Sequence, residues 1–306
     1  MVTQTRQLGH ATLELLAEDW SVRILRELQD GPLRPSQLEE RLPDAPHSAM
    51  MRRLSEMHCL GVVSHERYAD LPPRAQYALT KGGRRVLDVV GAATRWERQW
   101  TSERTRGMAA LRLIGDERTR EIILALAQGP ACASDLHAHL PEPVARSTLR
   151  QRVAELAHRG ILIRTDKDGL ASYELTGSAR GVALVEIAAA RWEWEWARPD
   201  QPVAARDVAG VLRLFAPAAE LPAALDGICR MRVGGPAGTD VYLAAEGRRV
   251  AALALKPHGP PQAACEATPH GWCDALLLRR WCGVTSTGNQ ALMAALLASV
   301  SSTMFC

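Results

Sequence analysis

Ile24-Leu25-Arg26-Glu27-Leu28-Gln29-Asp30-Gly31-Pro32 is written a second time as Ile122-Ile123-Leu124-Ala125-Leu126-Ala127-Gln128-Gly129-Pro130. In both places apolar residues fall at helical spacing and a Gly-Pro pair stops the helix. The likeness extends outward. Ser36, Leu38, Leu42 and Pro43 recur as Ser134, Leu136, Leu140 and Pro141, and Ser48, Arg53, Leu54, Glu56 and Gly61 as Ser147, Arg152, Val153, Glu155 and Gly160. Tyr77, Leu79, Thr80, Trp96, Glu97 and Trp100 recur as Tyr173, Leu175, Thr176, Trp192, Glu193 and Trp196. A period of roughly 100 residues indicates a duplicated domain, because solenoid units run only to about 50.

The unit reads as three helices, a hairpin and a closing helix. Ser21 to Gln29 is the first helix. Ser36 is a candidate N-cap with Glu39 three residues on, the capping-box pattern, and Pro43 ends that second helix. A third helix runs from about His47 to Leu60 and stops at Gly61. Val62-Val63 and Tyr77-Ala78-Leu79 read as strands joined by a loop carrying His65, Arg67, Pro72, Pro73 and Arg74. The closing helix, Gly83 to Trp100, aligns Val89, Ala93, Trp96 and Trp100 in one stripe, repeated by Val185, Ala189, Trp192 and Trp196. Such a stripe is either core or a seam where the two closing helices pair.

Hydrophobic residues form 47% and charged residues 23% of the 306, a globular balance with room for two or three cores. A net charge of +3 excludes a protein that coats nucleic acid indiscriminately, while leaving room for local basic faces. The opening residues lack a secretory pattern and no apolar run reaches spanning length, so a cytoplasmic chain with no membrane partner is expected. The 7 Cys at irregular spacing read as reduced thiols. Cys265, His270, Cys273 and Cys282 lack the paired spacing of a zinc site, and no nucleophile stands in a recognisable frame. No metal, cofactor or enzymatic activity is expected.

The unit resembles the HxlR family of winged-helix transcription regulators. The resemblance rests on Trp20-x3-Ile24-Leu25-x2-Leu28-x2-Gly31-Pro32, on Arg53-Leu54 with Gly61-Val62-Val63, and above all on Pro72-Pro73-Arg74-x2-Tyr77-x-Leu79-Thr80-x2-Gly83. The second copy departs from it: Arg118 replaces Trp20, and the wing loop shrinks to Asp166-Lys167-Asp168-Gly169, a tight turn with weaker DNA contact. Because the family usually acts as homodimers, the resemblance implies a pseudo-dimer within one chain.

Helical geometry nominates the reading residues. With Met50, Leu54 and Met57 as the buried edge of the third helix, Ser48 and Arg52 point away and Met51 lies at the side. In the second copy Leu149, Val153 and Leu156 are the buried edge, Ser147 and Gln151 point away, and Arg150 lies at the side. Arg and Gln reach base edges bidentately, and Ser contacts phosphate or base. Arg53 and Arg152 occupy a flank suited to a phosphate contact or an internal ion pair. Arg67 and Arg74 in the first wing suit the backbone or minor groove. Any of these is also readable as a solvated charge. Unequal reading helices imply two different half-sites.

Arg198 to Pro202 reads as a linker. Beyond it come helical spacing around Leu221 to Met231, strand-like runs Asp240 to Ala244 and Arg249 to Leu255, a helix Gly271 to Cys282, a short strand Gly283 to Gly288 and a helix Asn289 to Val300. This order is similar to the sterol-carrier-protein-2-like fold. That resemblance implies a sheet covered by helices around an apolar tunnel, with Trp272, Leu276, Trp281, Leu292, Leu296 and Leu297 as its walls or as plain core.

The expected fold is mainly α with small β: two tandem winged helix-turn-helix domains, 1–103 and 104–200, plus a C-terminal α+β ligand-binding domain, 203–306. The expected function is a sequence-specific transcription regulator with double-stranded DNA as partner, one chain acting as a pseudo-dimer, alone or as a homodimer. An apolar or aromatic effector is expected against Trp96, Trp100, Trp192 and Trp196, or against Trp272 and Trp281. The competing reading is a small-molecule-binding or resistance protein that sequesters a hydrophobic compound without binding DNA.

Overall fold

The structure, a computed structural model, describes residues 8–68, 74–100, 108–126, 129–140, 145–167, 170–197, 202–216, 219–234, 238–253 and 255–305. The chain divides into two compact units, one drawn from residues 9–116 and 188–200, the other from 1–8, 117–187 and 201–306.

The unit containing the N-terminal segment begins with α1 (His10–Ala17) and α2 (Asp19–Glu27), which tightens into a 3-10 turn at Leu28–Asp30. Then come α3 (Pro35–Arg41) and α4 (His47–Cys59), the antiparallel pair β1 (Val63–Tyr68) and β2 (Arg74–Leu79), and α5 (Lys81–Trp100). Ile24, Leu25, Leu28, Leu38, Met50, Leu54 and Met57 are fully buried, so the 3.6-residue pattern read from sequence is the core. The capping box expected at Ser36 and Glu39 is corrected. Helix α3 starts at Pro35, whose fixed φ and missing N–H suit a first helical position, and Gln37 Oε1 accepts from Arg34 N at 2.9 Å. Glu39 is bonded to His47 instead.

The Thr80-x2-Gly83 string has a mechanical reason. Thr80 Oγ1 donates to Gly61 O at 2.6 Å and accepts from Gly83 N at 2.9 Å, tying the start of α5 to the turn before β1. A Cβ on Gly83 would stand 2.0 Å from Val62 O, so only glycine permits this approach. Helix α6 (Met108–Gly115) belongs to the same unit and packs against α1, close enough that a Cβ on Gly115 would meet that of Ala17 at 2.4 Å.

The other unit opens with α7 (Glu117–Leu126), β3 (Ala131–Cys132), α8 (Ala133–His139), α9 (Arg146–His158), β4 (Leu162–Lys167) and β5 (Leu170–Leu175). After a 3-10 turn at Gly177–Ala179, α10 (Arg180–Trp192) follows; from residue 188 on, it and the π-helical turn at Glu193–Ala197 into which it widens are counted with the first unit. The three strands lie in the order β3-β5-β4. Corresponding details reappear: Ala131 pairs with Tyr173 as Leu33 bridges to Tyr77, and Thr176 Oγ1 donates to Gly160 O at 2.8 Å as Thr80 does to Gly61 O. One core position pair differs in chemistry. Where Val22 and Val90 are buried, their counterparts are the buried ion pair Arg120 and Glu186.

The same unit holds the C-terminal segment: α11 (Ala205–Phe215), β6 (Gly227–Val233), β7 (Thr239–Glu246), β8 (Arg249–Leu253), β9 (Ala263–Ala267), α12 (Pro269–Leu278), β10 (Thr285–Gly288) and α13 (Gln290–Phe305). The sheet order is β10-β9-β6-β7-β8, antiparallel except for β6 and β9. Cys229, Met231, Val233, Val241, Leu243 and Cys265 line its buried face, and Met293 of α13 brings its Sδ to 3.9 Å from Cys229 Sγ. The helix expected around Leu221 to Met231 is corrected to an extended approach and the central strand β6. Buried Cys229, Met231 and Val233 alternate with half-buried Arg230 and Arg232, the two-residue period of a strand. Helix α11 and strand β9 were not anticipated. The linker read at Arg198 to Pro202 lies, save Pro202, outside the described residues. Among the described residues no helix is long and apolar enough to cross a membrane.

Candidate nucleic-acid interface

Helices α4 and α9 each bury one edge and turn the other to solvent. Met50, Leu54 and Met57 are sealed, as are Leu149, Val153 and Leu156. Of the residues nominated to read bases, Ser48 and Arg52 on α4 and Ser147, Arg150 and Gln151 on α9 are all exposed. Met51 is half-buried. Sequence reasoning missed Arg146 and Thr148, also exposed on the first turns of α9. The signal was available, since the register that equates Ser48 with Ser147 equates His47 with Arg146. In α4 that position is occupied by the imidazole bonded to Glu39, so the two helices begin with different charge.

Of the two roles open to Arg53, the structure takes the internal one. Its guanidinium is 7% exposed, bonded through Nη1 to Glu56 Oε2 and lying with Nη2 3.2 Å from Glu18 Oε2. A fork so engaged anchors α4 to the loop before α2 and is not a phosphate contact. Arg152 is half-buried on the corresponding flank of α9.

The hairpins differ as their sequences do. In the first, Arg67 sits opposite Ala75 and Arg74 opposite Tyr68 at the far end of the ladder, while their side chains and residues 69–73 lie outside the described residues. His65 stacks on Tyr77 with ring centroids 4.6 Å apart, stiffening the base of that hairpin. In the second, Arg164 occupies the place of His65 and Asp166 the place of Arg67. Arg164 Nη2 and Nε lie 3.0 and 3.3 Å from Asp166 Oδ1, a pair that raises the Arg164 pKa through the hydrogen bond and charge of Asp166. The second hairpin therefore neutralises its own cation. Lys167 pairs with Leu170 at the tip, and Asp168 and Gly169 lie outside the described residues.

The tryptophans named as effector contacts divide by burial. Trp96, Trp192 and Trp272 are core residues, and two of them spend their indole N–H inside: Trp192 on Gly82 O at 2.6 Å and Trp272 on Arg232 O at 2.8 Å. Leu276, Leu292 and Leu296 are buried with Trp272, and Leu297 is half-buried. Trp196, 37% exposed, lies against Gly82, where an added Cβ would meet its ring at 3.2 Å. Trp281 is half-buried, and the Trp100 side chain is outside the described residues. Burial pushes the Cys273 thiol beside Trp272 up to about 12, which keeps it protonated. Among the described residues no three His, Cys, Asp or Glu side chains gather to hold a metal.

Three helices with α4 presenting its outer face beside a two-stranded hairpin define the N-terminal segment as a winged helix-turn-helix. Through residues 15–105 the chain belongs to the HxlR-like helix-turn-helix family. An uncharacterized HTH-type transcriptional regulator of Methanothermobacter thermautotrophicus is 32% identical over 83 residues, 27% of this chain and 63% of that relative's length. One of Synechocystis is 32% identical over 91 residues, 30% of this chain and 67% of the relative. Among solved structures, the reduced form of the transcriptional regulator YodB from Bacillus subtilis is 25% identical, covering 30% of this chain and 90% of that one, at a TM-score of 0.29.

Proposed function

We propose that the chain is a cytoplasmic, sequence-specific DNA-binding transcription regulator whose two winged-helix segments, 1–103 and 104–200, act as a pseudo-dimer, with the C-terminal α+β segment, 203–306, as an effector module. The relatives named above are HTH-type regulators, and the observation that supports the reading most is the matched exposure of Ser48 and Arg52 on α4 with Ser147, Arg150 and Gln151 on α9. Two reading helices of different composition suit an operator with unlike half-sites. Arg150 and Gln151 read one half-site, with Arg146 adding a phosphate or base contact, while Ser48 and Arg52 read the other. Arg67, Arg74 and Arg152 supply backbone contacts. An apolar or aromatic effector alters affinity, and of the tryptophans expected against it whose side chains are described, Trp196 and Trp281 are the least buried.

The test is binding of the full chain to DNA from its own promoter region, with stoichiometry by sedimentation. One chain per operator supports the reading. Two chains on a single pseudo-palindrome would remove the pseudo-dimer, and failure to retard any fragment from that region above the affinity for random duplex would remove DNA reading altogether.

A further inference from the structure

We propose that Asp207, Arg120 and Glu186 form a proton-operated latch between α11 of the C-terminal segment and α7 of the middle segment. The Asp207 carboxyl keeps its proton while α11 is seated, and its ionised form works against that seating.

Two buried acids lie in the field of one buried base. Arg120 on α7 is 2% exposed, and its Nε lies 2.9 and 3.2 Å from the two carboxylate oxygens of Glu186 on α10. Its Nη2 donates to Leu8 O at 3.2 Å. Glu186 thus balances the arginine's charge already. Asp207, in the first turn of α11, is buried within the field of the same arginine. Its Oδ1 lies 3.7 Å from Nε of its solvent-facing neighbour Arg206, and its Oδ2 is buried with no hydrogen-bond partner among the described residues. A buried carboxylate oxygen without a donor is expensive, whereas the protonated acid carries no charge into the site.

Helix α11 packs on α7, α12, β6 and β7. From α7 comes Arg120, with Glu186 behind it, and from α12 come Asp274 and the buried thiol Cys273, which is pushed upward first by burial, then by Asp274 and Asp207. Of the charged groups of β6 and β7, Arg230, Arg232 and Asp240 interact with one another and with Tyr242, while Glu246 is exposed at the end of β7. Helix α11 reaches β7 through Arg213, which donates to Asp240 O at 3.3 Å about 9 Å further along the helix. Burial dominates at Asp207 and carries its carboxyl up to about 6, against the smaller pulls of Arg206 and Arg120. Burial likewise raises Glu186, opposed by Arg120.

The sign follows from linkage. A carboxyl whose folded pKa is raised binds its proton more tightly when buried than when the site is open. Between the ordinary Asp range and pH 6 the seated arrangement therefore loses stability as pH rises, reaching the full penalty above about 6. The N-terminal segment has no such device, because Val22 and Val90 stand at the corresponding positions.

Hydrogen exchange on the full chain, without DNA, tests the latch independently of the function proposed above. Relative to intrinsic exchange, amides of α7 and α11 are expected to open more readily from pH 5 to pH 7.5, by about tenfold, because about half of the displacement from the ordinary Asp value to about 6 is already expressed at pH 5. In Asp207→Asn that rise should vanish. The same pH course in the variant overturns the proposal. A second measurement uses the unaltered protein: carbon-13 NMR of the labelled Asp carboxyls should contain one resonance, absent from Asp207→Asn, with a midpoint near 6. A midpoint in the ordinary carboxyl range overturns the latch even if the variant fails to fold.

Discussion

Glu97 and Glu193 hold corresponding positions in α5 and in the turn ending α10, and each caps the opening helix of the other segment. Glu97 Oε2 accepts from Ala110 N of α6 at 3.2 Å, and Glu193 Oε2 accepts from Thr12 N of α1 at 3.4 Å. Both acceptors are buried, and both amides are the third of their helix, a group with no intrahelical partner. The exchange is reciprocal: α5 holds the start of α6, and the turn ending α10 holds the start of α1.

Removing either carboxylate strands a buried amide. Glu97→Ala and Glu193→Ala should each lower unfolding stability by roughly 1–3 kcal/mol, with the Gln variants losing less because an amide oxygen still accepts. Urea denaturation of the four variants checks this, and losses under about 0.5 kcal/mol would show that the caps carry no weight.

The middle segment's buried pair should be separable from its packing. Arg120→Ala is expected to cost about 3–5 kcal/mol, because Glu186 would be left buried and uncompensated. The double replacement Arg120→Val with Glu186→Val, which writes in the residues found at the corresponding positions Val22 and Val90, should fall within about 1 kcal/mol of the unaltered chain or exceed it. Denaturation at pH 5, where Asp207 is mostly protonated, isolates the pair.

The proposed reading helices α4 and α9 expose different side chains, so the proposed function predicts half-site asymmetry. Arg150→Ala should weaken specific binding by about 1–3 kcal/mol and relax base preference in one half-site, and Arg52→Ala should act on the other. Footprinting titrations that show both variants acting on the same half-site, or neither acting, would refute the assignment.

Asp166 masks Arg164, so deleting the acid should add a phosphate-binding cation. Asp166→Ala is expected to strengthen DNA binding and steepen the dependence of log affinity on log salt by about one unit. An unchanged slope in titrations across salt concentrations would mean that the second hairpin stays clear of the duplex.

Much of this was legible in the chain. Met50, Leu54 and Met57 predicted the buried edge of α4 because a helix with one wet face must repeat its apolar residues every three or four positions, and Leu149, Val153 and Leu156 did the same for α9. Arg53 was legible as far as its flank but not its partner, since Glu18 lies on the loop before α2 and only tertiary packing brings it within reach. Arg120 and Glu186 gave no signal, as a buried pair looks like surface charge until the fold encloses it. Strand β6 was read as helix because Leu221, Leu225, Ile228 and Met231 satisfy helical spacing, and the sheet neighbours that decide otherwise come from β7 and the distant β9. The division at 103 and 203 follows sequence likeness, whereas packing assigns residues 188–200 to the same unit as residues 9–116.

The π-helical turn at Glu193–Ala197 bears on how this chain tolerates changes in length. Trp192, Glu193 and Trp194 are consecutive and all buried where the helix widens. The turn accommodates an extra residue, with Glu195 on its solvent side. Deleting Glu195 would restore ordinary helical spacing without touching the indole that donates to Gly82, yet it would rotate Trp196 off the glycine it covers. The stretch is thus a point where a single-residue deletion is locally permitted by the backbone and opposed only by side chains.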